Sequence, residues 1–280
     1  MNSASIVKKS RSNFSWAFWG LEKRQREGLE ALYAFCRTVD DIVDQAKNPA
    51  VARDELDRWR SILDRISRPS VFDPQVAKDL SEALVRFPIH VEDLRWIVDG
   101  VEMDLSKKRY ATFEELLSYC DGVASAVGLA SMAIFGGDRK ETAVYAFATG
   151  RALQLTNILR DVVADAKMDR IYLPQSDLER FGYGERELLR SQYNERFVAL
   201  MRFQKERAET FYVEAAKALS AKERRRYPAA ELMRRLYWAL LRRIESRQYR
   251  MFGARVSVPK LRKLCIASSI WFPHLFCKGW

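Results

Sequence analysis

Apolar residues recur every three to four positions along nearly the whole chain, and no sustained apolar–polar alternation bounded by turn signals replaces that rhythm. The pattern predicts helices over about 21–46, 50–67, 74–86, 90–107, 113–135, 139–166, 185–218, 221–251 and 258–272. Pro69, Pro74, Pro88, the Gly136-Gly137 pair, Gly182, Gly184 and Pro259 fall between these segments, where helix breakers belong. The expected class is therefore all-α, with enough apolar surface to enclose a large cavity. No Gly/Ser- or Pro-rich linker and no internal repeat divides the 280 residues, so a single domain over 1–280 is expected.

Two of the predicted helices carry acidic residues in apolar surroundings. The first reads Arg37-Thr-Val-Asp40-Asp41-Ile-Val-Asp44 after Tyr33-Ala-Phe35-Cys36; the second reads Gln154-Leu-Thr-Asn157-Ile-Leu-Arg160-Asp161-Val-Val-Ala-Asp165. Residues four apart share a helix face with Cβ atoms roughly 5–6 Å apart, which pairs Asp40 with Asp44 and Asp161 with Asp165. Crowded, half-buried carboxylates resist ionisation unless positive charge compensates. Arg37 and Arg160 compensate in part, and a hard divalent cation would complete the balance. Mg²⁺ takes one or two carboxylates together with waters and phosphate oxygens, so the pattern predicts a diphosphate held through Mg²⁺. One such cluster alone is as readily a structural ion-pair network; a matching pair on separate helices favours the metal. Calcium fits less well, because no glycine-containing loop with alternating oxygen ligands is present.

Net charge is +11, and its placement matters more than its size. Residues 181–280 hold 22 Lys/Arg against 9 Asp/Glu, whereas residues 1–180 hold 26 against 28. Such a surplus attracts nucleic acid or an anionic membrane surface. No nucleic-acid-binding motif accompanies it, so no nucleic-acid partner is expected, and a peripheral contact with anionic lipid is the favoured use. Cys36, Cys120, Cys265 and Cys277 have no zinc-ligand spacing, and only His90 and His274 are present, which argues against a histidine-rich metal site or a histidine triad. Without a signal-like apolar core near residue 1, a cytoplasmic location is expected, with contact at the inner face of the membrane. The stretch 264–280 is apolar but interrupted by Pro273 and shorter than a bilayer span. It either lies at an interface or packs on the helical core.

Five stretches, in this order, resemble the squalene/phytoene synthase family of head-to-head prenyltransferases: Tyr33 to Asp44, Met103-Asp-Leu with Arg109-Tyr-Ala-Thr-Phe113, Tyr119 to Gly128, Gln154 to Asp161, and Arg170-Ile-Tyr172-Leu-Pro174. Within the family the chain looks most similar to bacterial presqualene diphosphate synthases of hopanoid-type squalene biosynthesis. The resemblance implies the isoprenoid-synthase helical bundle around a central apolar cavity. It implies Mg²⁺ at Asp40, Asp44, Asp161 and Asp165, and diphosphate contacts from Arg37, Gln154, Asn157, Arg160 and Arg170. Tyr33, Tyr119 and Tyr237 match aromatic positions near the reacting prenyl chains, with Phe14 a wall residue. Asp41, about 100° round the helix from Asp40, is expected in a supporting role. Asp169 stands where relatives often have glycine, and Asn13 where many have serine.

The implied reaction condenses two farnesyl diphosphates to presqualene diphosphate. It needs no NADPH for this first half-reaction and leaves a downstream squalene-forming enzyme as a partner. Phytoene, dehydrosqualene or squalene itself are alternative products. A chain-elongating prenyltransferase or terpene cyclase using Asp40-Asp41-Ile-Val-Asp44 is a further alternative, and a non-catalytic lipid- or nucleic-acid-binding helical protein belongs to a different class.

Overall fold

The computed structural model describes residues 3–10, 18, 20–253 and 255–272. The helices are α1 (Ser3–Ser10), α2 (Lys23–Asp44), α3 (Pro49–Asp64), α4 (Gln75–Arg86), α5 (Val91–Glu102), α6 (Phe113–Cys120), α7 (Ala126–Ile134), α8 (Arg139–Lys167), α9 (Gln175–Arg180), α10 (Glu185–Leu189), α11 (Glu195–Ala218), α12 (Ala221–Arg224), α13 (Pro228–Ser246) and α14 (Lys260–Trp271). Among the described residues there is no strand, only one isolated bridge between Arg109 and Ile171.

α8 is the axis of the bundle. Asp138 caps it by accepting from the backbone N–H groups of Lys140 at 2.8 Å and Glu141 at 3.2 Å. Its apolar residues, Ala152, Leu155, Ile158, Leu159 and Val162 among them, are buried against α7, α11 and α13. α2 packs on α1, α4 and α7, burying Leu29, Leu32, Phe35, Val39 and Val43. That leaves the stripe Tyr33, Arg37, Asp40 and Asp41 at the edge of the core, where a charged side chain keeps solvent or a partner.

A π-helical turn at Asp121–Ser125 joins α6 to α7. It lies so close to its neighbours that a Cβ on Gly122 would sit 2.7 Å from Gly100 Cα, and one on Gly150 would sit 2.6 Å from Ser125 Cα. Glycine is required where backbones meet this way. The apolar run Phe113–Ile134, long enough by composition to cross a bilayer, is more than half buried inside the bundle and serves as its core.

Several expected boundaries are corrected. The segment 185–218 is two helices, because Ser191 turns the chain at φ 54 and Asn194 caps α11 by accepting from Phe197 N at 2.9 Å. The segment 221–251 is also two: Pro228, which has no N–H to donate, opens α13 at its first position. α13 ends at Ser246, before Gln248 and Tyr249 at positive φ. The helix expected over 90–107 stops at Glu102 and tightens into a 3₁₀ turn, Met103–Leu105. α1 and α9 lie outside the predicted set.

Candidate active site

A cavity of about 960 Å³ opens between α2, α5, α8 and α13. Tyr33, Arg37, Asp40, Tyr119, Gln154, Asn157, Arg160 and Tyr237 all line it, together with Asp41. The two acidic motifs are joined across its rim: Arg170, just beyond the second, donates from Nη1 to Asp44 Oδ1 of the first at 2.8 Å. Arg37 pairs with Asp41 and more loosely with Asp40, at 3.4 Å. Phe14 and Asn13 lie outside the described residues.

Asp161 is gripped from two sides. Arg160 Nε donates to Oδ1 at 2.8 Å, and Arg255 donates to Oδ1 and Oδ2 at 2.9 and 2.6 Å. Burial pushes this carboxyl up, but the two guanidinium forks outweigh it and hold it below the usual range. Asp40 and Asp165 lack such compensation. Burial, then the Asp44 carboxylate, raises Asp40 to about 6; burial, then Asp161, raises Asp165 to about 7.

Among the described residues no three acidic, His or Cys groups converge into a closed metal cage. The donor set still suits a hard cation. Each motif offers one carboxylate pair, Asp40 and Asp165 resist ionisation for want of a further positive partner, and Mg²⁺ characteristically uses one or two carboxylates with water and phosphate oxygens. Asn157 Oδ1 is buried with no hydrogen-bond partner, although its amide nitrogen reaches Gln154 Oε1 at 3.3 Å. It offers an acceptor to a hydrated ion or a ligand proton.

Asp104, Tyr172 and Arg255 were not singled out from sequence. Asp104 sits between the motifs in the 3₁₀ turn and accepts from Tyr119 Oη and Tyr172 Oη, both at 2.9 Å. The Tyr119 and Tyr172 rings stack at 5.1 Å, and Tyr110 stacks on Tyr172 at 5.8 Å. Burial and the Asp104 charge keep both hydroxyls protonated. The signal for Asp104 and Tyr172 was present in the stretches Met103-Asp-Leu and Arg170-Ile-Tyr172-Leu-Pro174. Arg255 had none, since it lies in a non-helical segment remote from either motif.

The turn before Arg170 explains its reach. Asp169 adopts the left-handed conformation, φ 61, which favours glycine. Its carboxylate is held by Lys108 and Arg109, each at 2.9 Å, and its carbonyl accepts from Arg109 Nη1 at 2.7 Å. Those three bonds offset the strain and aim the next residue at Asp44.

Residues 7–262 match the squalene/phytoene synthase family model. The chain belongs to that family. It is 38% identical to phytoene synthase of Arthrospira platensis over 86% of this chain and 82% of that one. Its fold matches a dehydrosqualene synthase solved in complex with a ligand at a TM-score of 0.83, with 30% identity and 99% and 96% of the two chains covered. It also matches squalene synthase HpnC from Alicyclobacillus acidocaldarius at 0.81, with 25% identity and 89% and 94% covered. The architecture is thus the all-α isoprenoid-synthase fold, and the protein is a prenyltransferase-type enzyme of isoprenoid biosynthesis that joins prenyl diphosphates.

Proposed function

We propose that this enzyme condenses two C20 allylic diphosphates head to head to phytoene. The C15 substrate and presqualene diphosphate product expected from sequence give way to this alternative. One observation carries the choice. Past Gln154 and Asn157 the cavity continues into a narrower annex whose α8 lining runs on to Tyr145. From Arg160 at the diphosphate end to Tyr145 is fifteen residues, about 22 Å of helix. An isoprene unit is four bonds of about 1.5 Å, so an extended tail of four units reaches roughly 20 Å and one of three units roughly 15 Å. The identity to phytoene synthase supports the same reading.

In the proposed mechanism the C–O bond of one allylic diphosphate breaks, its electron pair leaving with the diphosphate. Arg37, Arg160 and Arg255 donate to the departing oxygens. Mg²⁺ held by Asp40 and Asp44 and by Asp161 and Asp165 would neutralise further charge on that group. Tyr33, Tyr119 and Tyr237 turn aromatic rings toward the cation and exclude water from it. The second chain's double bond supplies the new carbon–carbon bond, and proton loss closes a cyclopropane. Tyr119 already donates to Asp104, so the released diphosphate is the better proton acceptor. Departure of the second diphosphate, rearrangement and a second proton loss then give phytoene with no hydride consumed, so no NADPH is proposed. A downstream squalene-forming partner follows only from the C15 alternative.

We place the enzyme at the cytoplasmic face of an anionic membrane. While Ile266, Ala267, Ile270 and Trp271 pack on the bundle, Leu261 and Leu264 of α14 and Phe272 just past its end are exposed, with Lys260 and Arg262 on either side of Leu261 in the chain. Lys263 of this helix and Val256 just before it line the cavity, so on this reading the cavity lies beside the lipid.

Mass spectrometry of products from C15 and C20 diphosphates, with and without Mg²⁺ and NADPH, tests the reading. A C40 hydrocarbon from C20 substrate with Mg²⁺ alone is expected. A C30 diphosphate from C15 substrate, with C20 inert, would overturn it in favour of presqualene diphosphate synthesis.

A further inference from the structure

The annex holds about 180 Å³ and shares Gln154, Asn157 and Tyr237 with the main cavity. Its lining mixes small residues, Gly128, Ala146, Gly150 and Ala230 among them, with the larger Met132, Phe135, Leu153 and Met233. Gly128 and Gly150 are small of necessity: a Cβ on Gly128 would meet the Ala146 carbonyl oxygen at 2.9 Å. The annex is therefore a slot whose width is set by backbone packing and whose length is set elsewhere.

Tyr145 is the α8 lining residue furthest from Arg160. It is only 1% exposed, and its hydroxyl and that of Thr149, one turn nearer the mouth, interact with each other but make no well-formed hydrogen bond. A buried ion pair, Arg234 donating to Glu231 at 2.8 and 2.7 Å, is close enough to the Tyr145 hydroxyl to act on it electrostatically and does not line the annex. A buried tyrosine that forgoes its hydrogen bond gives up about 1–3 kcal/mol. Packing that tolerates this loss uses the ring for its volume.

We infer that Tyr145 is the stop that sets the longest prenyl tail this enzyme accepts, its ring screening the end of the tail from the Glu231–Arg234 pair. The inference rests on the annex receiving a prenyl tail. An apolar terminus pushed past the ring would meet buried charges that cannot be separated cheaply, so the length limit is sharp.

The test compares kcat/KM for C15, C20 and C25 diphosphates in three variants. Tyr145→Ala is expected to raise the C25-to-C20 ratio roughly 10-fold or more, the worth of a methylene or two of pocket. Tyr145→Phe keeps the ring, so it should leave the ratio unchanged. Thr149→Leu fills the slot from the mouth side and should shift preference toward C15 by a similar factor. Tyr145→Ala protein with wild-type helicity and an unchanged ratio would overturn the inference. If that variant does not fold, an unchanged C20-to-C15 ratio in Thr149→Leu overturns it. Should the wild type use only C15, the C20 reading falls while the stop stands, provided Tyr145→Ala lifts the limit to C20.

Discussion

Burial and the Asp161 carboxylate push Asp165 up to about 7, and burial with Asp44 pushes Asp40 up to about 6. Both folded-state values exceed that of an unfolded aspartate, so between about pH 4 and 7 the folded protein binds more protons than the unfolded chain. Stability from these two groups is complete below pH 4 and is lost as pH rises through 6 and 7. The melting temperature of metal-free protein should therefore fall from pH 5 to pH 8. Added Mg²⁺ should raise it more at pH 8 than at pH 5, by up to about 2.7 kcal/mol of stability at one hundred times its Kd. A flat profile, or equal Mg²⁺ effects at both pH values, would remove these carboxylates from the metal site. Arg255 makes a separate case. It is largely exposed yet holds Asp161 with two bonds, so Arg255→Gln should leave the melting temperature near wild type while lowering kcat/KM on the order of 100-fold. Unchanged kinetics would confine Arg255 to the surface. Sequence exposed Asp161 through its helical spacing from Asp165, but it could not expose Arg255, whose contact spans the fold and has no periodicity.

At the scale of the element, the long amphipathic helices were legible because one face of each is continuously apolar. The ranges 21–46 and 139–166 lie close to Lys23–Asp44 and Arg139–Lys167. The breaks inside the later segments were written in local chemistry that a periodic pattern overrides: Asn194 as a cap and Pro228 as a first helical residue. The π-helical turn was not legible at all, since its geometry depends on contact with α5 and α8 across the bundle. That contact makes a prediction. In Gly150→Ala the new methyl would lie 2.6–2.8 Å from the backbone of Ala124 and Ser125, atoms that cannot rotate away. Overpacking of this kind costs about 1–3 kcal/mol. The variant should melt earlier and turn over long-tailed substrate more slowly, because α8 and the turn also frame the annex. Wild-type melting would show that the two backbones are free to part.

Across the whole molecule, the charge asymmetry seen in composition acquires a position. Some C-terminal arginines are locally paired: Arg207 with Asp177, Arg255 with Asp161, Arg234 and Arg235 with Glu231, and Arg242 with Glu245. Such pairs knit helices together and add little outward field. α14 differs, for Lys260 and Arg262 are exposed beside Leu261, which is 78% exposed, and Leu264. Residues 273–280 of the tail expected from sequence lie outside the described residues, while 264–271 are helical and packed through Ile266, Ala267, Ile270 and Trp271. On the proposed membrane reading an anionic bilayer would take up both kinds of exposed residue, apolar side chains entering the interface and cations meeting lipid phosphates. Flotation with vesicles of anionic lipid should therefore recover the protein, whereas zwitterionic vesicles should not. Lys260→Ser with Arg262→Ser should cost about 2 kcal/mol, since each cation near such a surface is worth about 1 kcal/mol, and the loss should resemble that caused by high salt. Leu261→Asp should weaken flotation with helicity and turnover of detergent-dispersed substrate preserved, because its side chain is mostly exposed. If both variants float like the wild type, α14 is not the lipid-facing element and its apolar stripe needs another partner.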